Sequence, residues 1–186
     1  ASSQNFANLD LRGGSASVKY YVSLGGNFQD GIYKNSATNY KQANFRSNID
    51  ATITQNIKLS LDVAGRQETR NYPTRSASNI FSMLMRGYPV AHAYWPNGLP
   101  GPDIALGNNP VVITTSMTGY DKQKDYIMES VIKLDINIPW VKGLSFASNI
   151  SFDKNIRNEK LWETPWYLYV WDGVFYETDN THLFSK

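Results

Sequence analysis

Cysteine is absent from this chain of 186 residues, which excludes disulfides and thiolate metal sites. Neither basic nor acidic residues predominate. The 18 basic and 16 acidic residues leave a net charge of +2, without the clustered basic excess typical of nucleic-acid-binding proteins. No run approaches the roughly 20 apolar residues that a membrane-spanning helix needs. The opening residues, ASSQNFANLD, have neither the charged start nor the apolar stretch of a signal peptide. We therefore expect no nucleic-acid partner and no helical membrane span.

Motifs for catalysis are missing as well. His92 and His182 are the only histidines, and neither has the spacing of a metal site or of a nucleophile with its base. Asp121 and Asp125 are four residues apart at the foot of a long connection, where solvated carboxylates are more common than a cation site. There is no Gly-x-Ser-x-Gly, P-loop or Gly-x-Gly-x-x-Gly motif. The chain is predicted not to be an enzyme and to bind no cofactor or metal.

Alternation with a period of two is the main pattern that is present. In FRSNIDATITQNIKLSLDVAG, residues 45–65, an apolar or small residue occupies every second position on both sides of a short turn. Alternate side chains of a strand point to the same face, so this pattern predicts half-buried strands. Six such strands are predicted, at residues 4–12, 17–30, 43–53, 57–69, 126–138 and 143–156.

The connections between these strands are alternately short and long. The short ones are GGSA (13–16), TQN (54–56) and PWVK (139–142), and the long ones span residues 31–42, 71–125 and 157–186. In an antiparallel sheet, this order places every short turn at one end and every long loop at the other. Outer-membrane β-barrels have this arrangement, with short periplasmic turns and long extracellular loops.

One face of the predicted strands carries no charged residue. Its members include Leu9, Leu24, Ile49, Leu61, Ile132, Leu134 and Ile150, and the opposite face includes Asp10, Lys19, Arg46, Asp62, Glu129, Lys133 and Asp153. A charge that faces lipid at the middle of a bilayer costs on the order of 2–4 kcal/mol, which explains such a division. The core face of a soluble β-sandwich also excludes charge, so alternation alone leaves both folds open.

Aromatic side chains near the strand ends favour the membrane fold. Tyr20 and Phe28 are eight residues apart on one strand. This is about 27 Å along the strand and roughly 20 Å along the membrane normal at the usual tilt, near the ~25 Å lipid band between aromatic girdles. The predicted belt on the loop side comprises Phe28, Phe45, Tyr126 and Phe152, and the predicted belt on the turn side comprises Tyr20, Phe146 and Trp140.

Six strands are too few to close a membrane barrel, for which about eight is the practical minimum. The edges of an open sheet in lipid would leave backbone groups unpaired, at several kcal/mol each. We therefore predict an all-β fold: an antiparallel transmembrane β-barrel segment, about six strands of a larger barrel in the cell outer membrane. Residues 1–186 are assigned to one barrel domain with long extracellular loops.

The longest connection, residues 71–125, is expected to contain a short helix. The stretch TRSASNIFSMLMRGYP (74–89) can be capped by Ser76 or Ser78 and ended by Gly87 and Pro89. The predicted apolar stripe of this helix comprises Ile80, Phe81, Leu84 and Met85.

The same connection holds most of the candidate ligand-binding residues. Tyr94 and Trp95 offer stacking surfaces for a sugar or peptide, and Asn97, Asn108 and Asn109 offer hydrogen-bonding groups. For each residue, packing of the loop against its neighbours is the alternative.

The aromatic C-terminal stretch LWETPWYLYVWDGVFYET (161–178) supplies two further candidates, Trp166 and Trp171. Its Asp172-Gly173 pair predicts a two-residue hairpin turn. Here too the alternative is a folded extracellular hairpin whose aromatic side chains pack on one another.

Three long stretches resemble the SusC/RagA family of TonB-dependent outer-membrane transporters. They are VKYYVSLGGNFQDGIYKNS (18–36), YKQANFRSNIDATITQNIKLSLDVAGRQE (40–68) and YWPNGLPGPDIALGNNPV (94–111), and the similarity runs from about Asn8 to Gly173. The resemblance implies a place after the plug domain, early in a barrel of about 22 strands. It also implies uptake of oligosaccharides or peptides with energy from the TonB complex, and a SusD-like surface lipoprotein that closes over the loops.

The sequence contains no plug and no TonB box. Ligand residues in this family vary with substrate, so the resemblance assigns none to a numbered position. A soluble β-sandwich that binds carbohydrate through its Trp-rich loops is the alternative function.

Overall fold

A computed structural model describes the backbone of residues 2–175 and 182–185 and the side chains of residues 2–170. The strands are β1 (Gln4–Gly14), β2 (Val18–Asp30), β3 (Asn39–Thr54), β4 (Ile57–Tyr72), β5 (Gly119–Asn137), β6 (Ser145–Glu163), β7 (Val170–Phe175) and β8 (His182–Ser185). Between β4 and β5 lie α1 (Ala77–Arg86), α2 (Pro110–Ile113) and a 3-10 helix (Ser116–Thr118). No helix within the described backbone is long and apolar enough to cross a membrane.

The first six strands form one antiparallel sheet in the order β1-β2-β3-β4-β5-β6, so each strand pairs with its neighbours along the chain. Over the described residues this sheet is open, with β1 at one edge and β6 at the other. β7 and β8 form a separate two-stranded sheet. The predicted all-β, antiparallel fold class is confirmed, and the open sheet is consistent with a segment of a barrel.

Three strands are considerably longer than the alternation predicts. β3 begins at Asn39 rather than at residue 43, β5 begins at Gly119 rather than at 126, and β6 ends at Glu163 rather than at 156. The long connections are therefore shorter than predicted, at residues 31–38 and 73–118, and the third begins after residue 163. The other predicted bounds differ from the observed ones by no more than three residues.

The physical reason for the missed residues lies in GYDKQKD, the first seven residues of β5. These residues are mostly polar on both faces, so the alternation of apolar and polar residues is lost. The strand nevertheless continues, because its backbone still pairs with β6. Hydrophobic periodicity reports the surroundings of the side chains and not the backbone hydrogen bonds.

The register places the predicted apolar residues on one side of the sheet. Directly paired residues form a row that runs from Tyr20 through Ile49, Leu61 and Ile132 to Ile150. We call this side the apolar face and the reverse side the polar face.

The buried apolar core lies among the loops rather than against the sheet. We call the connection from residue 73 to residue 118 the loop layer. Ile80 and Met83 of α1 and Ile113 of α2 are each no more than 1% exposed and pack together, with Tyr33 from the β2–β3 loop against them. The helices thus hold the loop layer together above one end of the strands.

The helix α1 occurs where the sequence predicts it. The Oγ of Ser76 accepts a hydrogen bond from the backbone N–H of Asn79 at 3.3 Å, and the helix ends before Gly87. Its predicted apolar stripe is wrong in part: Phe81, Leu84 and Met85 are exposed, and Met83 joins Ile80 on the buried side. The reason is that the short helix α2 contacts only a narrow side of α1.

The predicted hairpin turn at Asp172-Gly173 is also wrong. Both residues lie within β7, which pairs with β8 through an irregular register between Trp171 and Phe175. A glycine inside a strand is typical of such an irregularity, which explains how a turn signal can occur without a turn.

Candidate functional site

No layer of the described residues packs over the apolar face. Leu24 is 53% exposed, Ile132 45% and Ile150 63%. An uncovered apolar surface of this extent marks a site of contact with a partner or a membrane. The central rows of this face, as described, also carry no charged side chain.

A shallow groove of about 500 Å³ lies on the apolar face. It forms where Gly65 interrupts the row of side chains on β4, beside the ring of Phe45 on β3. Other lining residues are Leu24, Tyr126, Met128, Lys154 and Ile156. The groove is therefore apolar along its length, with an ammonium group at one side.

The polar face carries a second groove, of about 330 Å³. Its lining is largely polar and includes Tyr21, Ser23, Gln42, Asn44, Arg46, Arg66 and Glu129. Asp62, on the same face, contacts both neighbouring strands. Its carboxylate accepts a hydrogen bond from the Nδ2 of Asn48 at 2.8 Å and forms an ion pair with the Nζ of Lys133 at 3.3 Å. Cross-strand pairs of this kind suit a wetted surface.

The strongest electrostatic feature is a network at the loop end of the polar face. The carboxylate of Asp125 accepts from the Nε of Arg157 at 2.6 Å and from Arg70 at 2.5 Å, and only 3% of its surface is exposed. Glu68 pairs with Arg70 and, at 3.0 Å, with the Nε of Arg66. The hydrogen bond from Arg157, supported by the one from Arg70, holds the pKa of Asp125 below its ordinary value.

Sequence reasoning missed this network. The sequence predicts that Asp125, like Asp121, is a solvated charge, whereas the register sets it directly opposite Glu68 on one side and Arg157 on the other. If the alternation of β5 is continued toward the N-terminus past residue 126, Asp125 falls on the polar face, and this signal would have identified the cluster. Because the Asp125 carboxylate is occupied by two arginines, the network forms a charged patch at the loop end of the polar face.

Two predicted ligand-binding tryptophans connect the loop layer to the segment that follows β6. The Nε1 of Trp95 donates to the carbonyl of Tyr169 at 2.8 Å, and its ring stacks on His92 with centroids 4.8 Å apart. The Nε1 of Trp166 donates to the carbonyl of Gly107 at 3.0 Å, and the guanidinium of Arg75 lies 4.8 Å from the centre of its ring. Both indoles therefore contribute to loop packing.

The predicted asparagines belong to the backbone framework of the loop layer. Asn109 caps α2 by accepting from Val111, and its Nδ2 donates to Pro102. Asn108 donates to two loop carbonyls, and its Oδ1 is buried without a hydrogen-bond partner among the described residues. Asn97 accepts from the N–H of Leu99 within an exposed turn.

Tyr94 and Trp171 complete the predicted set. The hydroxyl of Tyr94 donates to the carbonyl of Val111 at 3.4 Å, and the ring remains 45% exposed. Trp171 lies in β7, and its side chain is outside the described part of the chain. All seven candidates thus come from the loop layer and the segment after β6, and the side chains of six of them are described. Their ligand-binding role stays a prediction.

No protein-family model matches the chain. Among curated proteins, the chain is similar to TonB-dependent receptor P3 of Formosa agariphila, with 28% identity over 158 residues. The aligned region covers 77% of this chain but only 15% of that relative, so the chain corresponds to a small part of its length. The similarity supports a relationship to TonB-dependent receptors in general and agrees with the prediction that the chain is not an enzyme.

Proposed function

We propose that this chain forms part of the wall of an outer-membrane β-barrel in a TonB-dependent transporter. The observation that carries the proposal is the division of one open sheet into an uncovered apolar face and a polar face with a charge network. In a transmembrane barrel the first face meets lipid and the second meets the lumen. The similarity to a TonB-dependent receptor supports the same assignment.

The two edges of the sheet provide a second argument. Within the described residues, β1 and β6 each pair on one side only. Unpaired backbone groups cost several kcal/mol each in lipid, so both edges require further strands. A larger barrel, of which this sheet is one arc, satisfies both edges.

The proposed cargo is an oligosaccharide or peptide, as in the SusC/RagA family that the sequence resembles. The proposed partners are the TonB complex, reached through a plug region outside this sequence, and a SusD-like lipoprotein. The loop layer supports a docking role because it exposes a group of large apolar side chains, namely Leu84, Met85, Tyr88, Val90 and Leu106. The partly exposed ring of Tyr94 is the proposed stacking surface for cargo.

Two substitutions in the complete polypeptide test the barrel assignment. Ile150 and Ser151 are adjacent and exposed on β6 but lie on opposite faces, and the direct partner of Ser151 is the uncharged Val131. In lipid, Ile150→Arg costs about 2–4 kcal/mol and reduces the folded fraction, whereas Ser151→Arg has little effect. The measurement is the fraction with heat-modifiable electrophoretic mobility after folding into phosphatidylcholine vesicles.

The soluble β-sandwich gives a different result. That fold would be cooperative and monomeric in buffer without detergent and would not insert into the vesicles. Equal, small effects of the two arginine substitutions would also contradict the barrel assignment.

A further inference from the structure

Five lysines on the apolar face each lie nearer the loop end of their own strand than that strand's residue of the predicted loop-side aromatic belt. They are Lys41 on β3, Lys122 and Lys124 on β5, and Lys154 and Lys160 on β6, and we call them the lysine cluster. Lys124 is two residues from Tyr126, and Lys154 is two residues from Phe152. All five side chains are exposed, and none forms an ion pair with any residue of the described chain.

Carboxylates do not balance the lysine cluster. At this end of the sheet they point to the polar face, where they comprise Glu68, Asp121, Asp125, Glu159 and Glu163. Over β1 to β6, Asp30 is the one carboxylate on the apolar face, and its Oδ1 accepts from the N–H of Gly31. The two faces of the same strands therefore differ sharply in charge.

Two members of the cluster are held directly opposite each other. Lys122 pairs with Lys160 in the β5–β6 register, and like charges at such positions destabilise a sheet. Both ammonium groups also approach one aromatic ring: their Nζ atoms lie 4.5 Å and 5.9 Å from the centre of the Tyr120 ring. An anion bound between them would remove the repulsion, so the pair is an independent sign of an anionic ligand.

We propose that the lysine cluster binds the phosphate groups of anionic lipids in the membrane leaflet that borders the loops. The inference rests on the proposed function, because only insertion of the sheet into a membrane places these ammonium groups at the depth of the head groups. The aliphatic part of a lysine side chain lies along apolar surface while its ammonium group reaches the membrane–water interface. The positions of these lysines, toward the loop ends of their strands, fit that arrangement.

The apolar groove explains why the ligand is a lipid rather than a free anion. The groove beside Phe45 and Gly65 crosses the strands at the level of the belt, from Leu24 on β2 to Ile156 on β6, and Lys154 lines it. A lipid whose phosphate lies at the lysine cluster would therefore have an apolar groove beside it for an acyl chain. Inorganic phosphate would use the charges but leave the groove empty.

A charge-matched pair of triple variants tests the proposal in the complete protein. The cluster variant is Lys122→Gln/Lys124→Gln/Lys160→Gln. The control, Lys19→Gln/Lys58→Gln/Lys142→Gln, removes the same charge at the turn end of the sheet. The probes are diphosphorylated lipid A and its monophosphorylated form in zwitterionic detergent micelles. Affinity is obtained from the rise in unfolding temperature with lipid concentration.

We expect the parent and the control to bind the diphosphorylated lipid more tightly than the monophosphorylated form. The cluster variant should lose on the order of 100-fold in affinity, since each basic side chain at an anionic surface contributes about fivefold. Equal losses in the two variants would overturn the proposal. So would an equal stabilisation by inorganic phosphate at the same concentration, which would indicate a free-anion site.

Failure of this inference is distinguishable from failure of the proposed function. Heat-modifiable mobility in phosphatidylcholine vesicles reports barrel assembly without anionic lipid. If the parent does not assemble there, the barrel assignment itself fails. If parent and cluster variant both assemble but bind the diphosphorylated lipid equally, only the lysine cluster assignment fails.

Discussion

The ring of Phe45 lies across the backbone of Gly65, its direct partner in the β3–β4 register, on the apolar face. A Cβ at residue 65 would overlap the ring, so the glycine is required by the close approach of the aromatic side chain. Aromatic coverage of a glycine on a neighbouring strand is a recognised means of stabilising a sheet and fixing its register.

Gly65→Ala is expected to destabilise the sheet by about 1–3 kcal/mol, because the added methyl group displaces the Phe45 ring. The measurement is the free energy of unfolding of the complete protein in detergent micelles. The double variant Phe45→Ala/Gly65→Ala removes the overlap, so its loss should be smaller than the sum of the two single losses.

Gly26→Ala is the matched control for this substitution. Gly26 lies on the same face of β2, where the nearest atom to a new Cβ is the carbonyl oxygen of Gln42 at 3.7 Å, an ordinary contact. Its effect should be small. Equal effects at Gly26 and Gly65 would contradict the role assigned to Phe45.

Asp125→Asn is expected to lower the unfolding temperature at neutral pH, because Arg70 and Arg157 lose their shared carboxylate. The hydrogen bonds from these arginines lower the pKa of Asp125 in the folded protein. Its stabilising contribution is therefore fully present above the ordinary carboxyl value of about 3.9 and is lost as the pH falls through the lower folded value. The difference between parent and variant should shrink below about pH 4.

Circular dichroism melts at pH 7 and pH 3 measure this difference. Asp135→Asn is the control, since Asp135 lies on the same face of β5 and its side chain is exposed. That substitution should have little effect at either pH. A difference between parent and Asp125→Asn that stays constant across this range would show that the arginine contacts do not determine the acid response.

Asn109→Ala is expected to loosen the loop layer. It removes the cap to the N–H of Val111 at 3.1 Å and the donor to the carbonyl of Pro102 at 2.8 Å. The loss of a cap costs about 1 kcal/mol, which corresponds to roughly fivefold more opening and faster limited proteolysis between β4 and β5. Asn97→Ala, in an exposed turn, should leave the cleavage rate unchanged. If Asn109→Ala alters cargo binding but not proteolysis, then Asn109 is a ligand residue and not part of the framework.

The candidate ligand-binding residues show where sequence reasoning stops. The composition of residues 94–111 indicates a loop rich in aromatic and amide groups, and in the structure several of these groups form hydrogen bonds with backbone groups. The composition alone does not indicate that the indole of Trp95 donates to Tyr169, or that Asn109 caps a four-residue helix. These contacts join residues far apart in the chain, and no local pattern encodes them.

The amino-acid sequence by itself determined the antiparallel six-stranded order, the alternation of short turns and long loops, and the division of residues between the two faces. These features depend on a period of two and on turn residues, which act over a few neighbouring positions. The tertiary structure alone decided how far β3, β5 and β6 extend, which side of α1 is buried, and that Lys122 stands opposite Lys160. Those outcomes depend on register between strands and on packing between distant segments, where the free energy comes from contacts that no single stretch of sequence contains.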